Sequence, residues 1–117
     1  MAKTWDFQVT KALGMELDEN LVLIYDTVAY LKDLGFEVFM DAEHYYDGNM
    51  ANEDYSMRCL EKAFEAGVDM LVLCDTNGGT LPFDVHRITS SVTSAFNTPV
   101  GAHFHNDTGV AVANSLY

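Results

Sequence analysis

Cations are scarce in this sequence. Six Lys and Arg stand against eighteen Asp and Glu over 117 residues, a formal net charge of −12. The positive footprint that nucleic acid or an anionic membrane surface requires is therefore missing, and both partners are excluded. The acidity is compatible with a cation site, although most of it reads as solvated helix surface. Long apolar runs are absent too. Nothing approaches the length of a membrane span, and Met1-Ala2-Lys3-Thr4-Trp5-Asp6 lacks the apolar stretch of a signal peptide, so a cytoplasmic protein is expected. Cysteine is limited to Cys59 and Cys74, which lie in separate predicted elements without the close spacing of a zinc knuckle or redox motif. They read as two free thiols. What is present, 49% hydrophobic and 21% charged residues, suits one globular piece with one modest core.

The chain is punctuated regularly. Leu17, Leu21, Ile24, Val28 and Leu31 recur at helical spacing, with Asp18 and Glu19 near the start and Gly35 placed to end the helix. Phe36-Glu37-Val38-Phe39-Met40 reads as a short buried strand ending at Asp41-Ala42-Glu43, and His44 to Ala51 as a polar, aromatic loop. Asn52 suits the N-cap of a second helix carrying Cys59, Leu60, Ala63 and Phe64 inward and stopping at Gly67. Val68 to Cys74 is apolar on both faces, as in a parallel strand covered by helices. Asp75-Thr76-Asn77-Gly78-Gly79-Thr80 is its exit loop. Thr80 is placed to cap a third helix, with Pro82 in the first turn and Val85, Ile88, Val92 and Phe96 as its inner stripe. A further strand spans Pro99 to Phe104, and Gly109 to Leu116 starts a fourth helix. Trp5 to Val9 reads as the end of another strand.

Strand and helix thus alternate with a unit of roughly thirty residues, the βα repeat of an α/β protein with a parallel sheet. The candidate polar residues fall at one place in each repeat: Asp41 and Glu43, then Asp75, Thr76 and Asn77, then His103, His105, Asn106 and Asp107. Each set follows the carboxyl end of a strand, where parallel α/β proteins build their sites. His103 and His105 are two apart on one strand, so both imidazoles lie on one face, about 6 to 7 Å apart, and can be offered to one divalent ion. Asp107 is a candidate outer carboxylate for the second ring nitrogen. The blander alternative packs one histidine in the core and uses the other as a helix cap. His44 and His86 read as surface or rim residues, and Tyr45, Tyr46 and Asp47 as an aromatic loop packed on the rim, with the lining of a substrate mouth as the alternative. An open doubly wound sheet and a part of a closed barrel both fit the pattern. An eight-stranded barrel needs about 250 residues, and this chain is roughly half of one.

Four ordered motifs carry a family resemblance: Lys3-Thr4-Trp5-Asp6-Phe7, Asp41-Ala42-Glu43-His44-Tyr45-Tyr46-Asp47-Gly48, Leu73-Cys74-Asp75-Thr76-Asn77-Gly78-Gly79-Thr80-Leu81-Pro82, and His103-Phe104-His105-Asn106-Asp107 followed by Ala111-Val112-Ala113-Asn114-Ser115-Leu116. They resemble the catalytic barrel of the 2-isopropylmalate, homocitrate and citramalate synthases of branched-chain amino-acid biosynthesis, above all the citramalate branch. The same superfamily holds 3-hydroxy-3-methylglutaryl-CoA lyase and pyruvate carboxylase domains. The resemblance implies a partial TIM barrel, residues 1–117 forming one partial catalytic domain from the end of the third strand to the sixth helix. It also implies a Claisen-type condensation of acetyl-CoA with a 2-oxo acid, dependent on Mg²⁺, Mn²⁺ or Zn²⁺. His103 and His105 match metal ligands, Thr76 a contact to the substrate carboxylate, and Glu43 the glutamate that enolises acetyl-CoA or orients the group that does. Asp75, Asn77, Asn106 and Asp107 match loop-shaping or outer positions.

Several features depart from that pattern. The first-strand segment with its aspartate ligand and arginine is missing, as are a later asparagine ligand and the seventh and eighth strands, and Gln8 stands where relatives carry histidine. The chain is thus expected to be a piece of a larger enzyme, inactive alone. Its uncovered strand edge is expected to drive homo-oligomerisation, with two half-barrels pairing. A lyase that reverses the bond change, and an α/β module that binds without catalysis, are the alternatives; the Glu-His-Tyr-Tyr-Asp-Gly form of the loop after Glu43 favours the synthases.

Overall fold

The computed structural model describes residues 1–117. Ten elements follow in chain order: β1 (Ala2–Lys3), α1 (Asp6–Lys11), α2 (Leu17–Asp33), β2 (Phe39–Glu43), α3 (Tyr45–Ala51), α4 (Glu53–Glu65), β3 (Met70–Asp75), α5 (Pro82–Ala95), β4 (Val100–Phe104) and α6 (Ala111–Leu116). The strands form one parallel sheet in the order β1-β2-β3-β4. Parallel neighbours require a crossover, and each crossover here carries helix, as the alternating apolar periods predict.

Local chemistry accounts for the helix boundaries. At the start of α2, Glu16 and Glu19 exchange side-chain bonds with each other's main chain, satisfying two otherwise open N–H groups. Asn52 does the same for α4 by accepting from the Tyr55 N–H at 3.2 Å. Most of the inward stripes read from the sequence are buried: Leu21, Ile24 and Val28 on α2, Cys59, Leu60 and Ala63 on α4, and Val85, Ile88 and Val92 on α5; Leu17, Leu31 and Phe96, at the stripe ends, are half-buried, and Phe64, expected inward, is exposed. The buried residues pack on Met40, Ala42, Leu71 and Leu73, which occupy alternate positions on one face of the sheet. Both cysteines are free, and burial pushes the Cys59 thiol up to about 12 and the Cys74 thiol up to about 11. No helix is long and apolar enough to cross a membrane.

The opposite face of the sheet is open. Phe39 is 53% exposed, and Met70 and Val72 are half-buried and lie outside the hydrophobic core cluster. Beside it, Leu23, Ile24, Val28, Leu31, Val38 and Met40 line a groove of about 320 Å³ along the β1 side of β2. Pairing of β1 with β2 is confined to Ala2–Ala42 and Lys3–Glu43, which leaves the β2 edge from Phe39 to Asp41 free.

Four sequence expectations are corrected. Trp5 to Val9 is not a strand: the strand is Ala2–Lys3, and Asp6 starts α1 by accepting from the Phe7 N–H at 2.7 Å. His44 to Ala51 is not a loop but holds α3, with Tyr45 and Tyr46 wholly buried; Tyr46 bonds Thr89 on α5 through its hydroxyl at 3.0 Å. A short apolar-aromatic run reads alike as loop or helix until its partners are known. Thr80 does not cap α5. Leu81 holds that position, because the Thr80 hydroxyl is bonded to Asp75. Finally, β2 begins at Phe39 rather than Phe36, which is 57% exposed.

Candidate active site

The register across the sheet assembles the site. Lys3 pairs with Glu43, Cys74 pairs with His103, and Glu43 follows Ala42, which pairs with Leu73, the residue before Cys74. Lys3, Glu43, Cys74 and His103 therefore form one row across all four strands on the open face, at the carboxyl ends of β2, β3 and β4. Neighbouring residues of a parallel sheet share a face, so this juxtaposition follows from pairing alone.

At one end of the row the imidazoles of His103 and His105 are side by side, with ring centroids 5.0 Å apart, and both are exposed. Their separation and exposure suit two ligands of one ion. No third His, Cys, Asp or Glu stands close enough to complete a cluster, so the chain presents a pair of nitrogen donors. Cys74, between Glu43 and His103 in the row, is kept protonated at neutral pH by burial and by the Asp41 and Glu43 carboxylates, which makes it a poor ligand. Asp107 makes no hydrogen bond with either imidazole, and Asn106 accepts from the Ala111 N–H at the start of α6.

The β3 exit loop is held by Asp75. Its carboxylate, fully buried, accepts from the Thr80 N–H at 3.1 Å and the Thr80 hydroxyl at 2.8 Å, while its main-chain oxygen accepts from Gly78 and His105. Gly78 (φ +65°) packs against the segment after β4: a β-carbon there would lie 2.9 Å from the Asp107 nitrogen and 3.0 Å from the His105 oxygen. Only glycine satisfies both the left-handed backbone and this close approach. The Asn77 side chain donates to Asp47 on α3 at 2.9 Å, and burial raises the Asp47 carboxyl.

At the other end, Glu43 is half-buried and its Oε1 lies 2.9 Å from the Lys3 ammonium. Thr4 donates both its N–H and its hydroxyl to the Glu43 carbonyl, at 3.1 and 2.9 Å, which fixes the strand end. Thr76 is reached from β2 as well: its hydroxyl oxygen accepts the His44 N–H at 2.8 Å. The structure thus brings Glu43, Thr76, His103 and His105 to the ends of adjacent strands, with Asp75, Asn77 and Asn106 engaged in holding loops.

Two participants escaped the sequence reading. Lys3 sits on a two-residue strand too short to show a period. His44, read as a surface or rim residue, is instead 7% exposed and is the one non-glycine residue with positive φ (60°). Its place directly after the strand-end Glu43 was the available signal. His86, by contrast, is exposed, edge-on to Tyr117.

Comparison with known proteins agrees with this architecture. The HMGL-like family model matches residues 1–117. An (R)-citramalate synthase of Geobacter sulfurreducens is 52% identical over 98% of this chain, and one of Sulfolobus acidocaldarius is 49% identical over 97%. A probable 2-isopropylmalate synthase of Methanopyrus kandleri is 36% identical over 97%. The chain spans 22% of the length of each of these relatives. A crystal structure of a Bacillus subtilis HMG-CoA lyase superposes with a TM-score of 0.81 over 98% of this chain and 40% of its own, at 20% identity, which bears on the fold alone. The parallel sheet, its alternating helices and the match along the whole sequence place residues 1–117 as a stretch of TIM barrel that belongs to the HMGL-like family.

Proposed function

We propose that this chain carries part of the active site of an acyltransferase that condenses acetyl-CoA with a 2-oxo acid, as a citramalate or 2-isopropylmalate synthase does. The observation that carries the reading is the adjacency of the exposed His103 and His105 imidazoles at the end of the row that also holds Glu43. His103 and His105 would hold the divalent ion, Mg²⁺, Mn²⁺ or Zn²⁺. Such an ion, once bound, supplies electrophilic polarisation of the ketone and stabilises developing alkoxide charge.

The other steps belong to side chains. Thr76 has one lone pair occupied by the His44 N–H, so its hydroxyl hydrogen is free to donate to the 2-oxo acid carboxylate. Glu43 has Oε1 held by Lys3 and no hydrogen bond at Oε2, which is available to accept a proton from the acetyl methyl group or to orient the group that does. Asp75 keeps the Thr76 loop in place from beneath.

Two nitrogen donors make half of a usual four-donor set, so tight binding requires donors from outside the chain described, and condensation by this chain alone is not expected. Isothermal titration with Mn²⁺ and Zn²⁺, comparing the native chain with a His103→Ala/His105→Ala variant, tests the assignment. Weak binding in the native chain that is lost in the variant is expected; equal binding by the two chains would remove the metal role from these histidines, and no binding by either would mean that the site forms only with donors from outside this chain.

The open edge of β2 and the apolar groove beside it argue for self-association, two copies covering one another's uncovered sheet face as paired half-barrels. Sedimentation at rising concentration is expected to show a dimer. A strict monomer across that range would overturn the pairing.

A further inference from the structure

His44 has a place that no role above accounts for. Its side chain is nine-tenths buried, against the Trp5 ring with centroids 6.0 Å apart, and its Nδ1 is wholly buried with no hydrogen-bond partner. A buried polar atom without a partner costs stability. So does a left-handed backbone at a residue with a β-carbon. Both penalties fall on one residue, and that residue sits between the two candidate groups of β2 and β3.

The left-handed turn has a geometric result. It directs the His44 N–H across to the Thr76 oxygen at 2.8 Å, while the imidazole folds back until Nε2 lies 3.9 Å from Glu43 Oε1. That second distance is too long for a hydrogen bond and short enough for the protonation of the ring to be felt at the carboxylate in a partly buried setting. The charged groups around the ring are Lys3 from β1, Glu43 from β2 and Asp47 from α3.

We infer that His44 is a positioning residue of this site, its main-chain N–H aiming the Thr76 hydroxyl hydrogen outward and its imidazole setting the electrostatic surroundings of Glu43. The inference rests on the proposed function only for the roles given to Glu43 and Thr76. Burial, then the Lys3 ammonium, lowers the imidazole from its ordinary value, so the ring is neutral at neutral pH and leaves Lys3 as the cation at Glu43.

Carbon-detected NMR of the labelled chain, without metal or substrate, tests both parts. The Glu43 carboxyl carbon is expected to show, besides its own titration, a second step at the midpoint of the His44 ring signal. That step should vanish in His44→Gly, which retains the left-handed backbone and the N–H. In Thr76→Val, exchange of the His44 amide hydrogen is expected to quicken about tenfold, the equivalent of one hydrogen bond lost. A single-step Glu43 titration in the native chain overturns the role of the imidazole, whether or not His44→Gly folds. Unchanged exchange in Thr76→Val overturns the role of the N–H. Neither readout depends on His103 or His105, so a failure of metal binding and a failure of this inference are separate results.

Discussion

Gly48→Ala is expected to lower the melting midpoint by roughly 10 °C, although alanine is the better helix former. Gly48 lies in α3, where its missing side chain lets the helix press on the segment between β1 and α1. A β-carbon there would meet the Thr4 oxygen at 2.8 Å and the Trp5 α- and β-carbons at 2.9 Å. Two of these three are main-chain atoms, which cannot rotate aside as the end of a long side chain would. Propensity favours alanine by about 1 kcal/mol, whereas overpacking against unyielding neighbours costs about 3 kcal/mol, so a net loss near 2 kcal/mol remains. The displaced segment includes Thr4, whose N–H and hydroxyl fix the Glu43 carbonyl, so loosening should spread to the β2 end. Thermal unfolding followed by circular dichroism measures the loss. A midpoint within about 2 °C of the native chain would mean that α3 moves outward at little cost.

The second large effect is expected from Asp75→Ala. The carboxylate is fully buried and receives two bonds from Thr80, itself 3% exposed. Removing it leaves the Thr80 N–H without an acceptor, and hydrogen bonds to a charged group contribute about 1.5 to 3 kcal/mol each. Part of that gain is offset in the native chain by the cost of burying the carboxylate, so the expected net loss is about 3 kcal/mol. Asp75→Asn keeps the shape and one acceptor oxygen and should lose about half as much. Urea unfolding of the native, Asn and Ala chains gives the order directly. An alanine chain as stable as the native one would show that the charge is stabilised by nothing beyond what its burial costs. The Asp75 carbonyl also receives the His105 N–H at 3.3 Å, so the loss should reach the end of β4 as well.

These two residues illustrate what was and was not legible in the sequence. The alternation of strands and helices was, because apolar periods of 2 and 3.6 residues are local and survive without any partner. The location of polar residues at the carboxyl ends of successive strands was legible for the same reason, whereas His103 and His105, expected to share a strand face, are side by side with His105 just past the end of β4. Asp75 was read as the start of a loop but ends β3, and its bonds to Thr80 were not legible, since a sequence does not say which of several nearby donors turns inward. Thr80 was accordingly given the cap that Leu81 occupies.

What only the tertiary structure decided concerns residues brought together from distant parts of the chain. The bond from His44 to Thr76 joins positions 32 apart, that from Thr4 to Glu43 positions 39 apart, and Gly48 matters through Thr4 and Trp5 in the segment between β1 and α1. The conversion of His44–Ala51 from an apparent rim loop to a buried helix follows from the same contacts, because Tyr45 and Tyr46 are apolar enough to be buried only where a surface is ready to receive them. By itself the sequence determined an α/β chain of parallel-strand repeats with candidate chemistry at the strand ends, since those properties follow from short-range periodicity. The row from Lys3 to His103 and the burial of His44 were decided by strand register and helix packing, which depend on long-range pairing that no local pattern encodes.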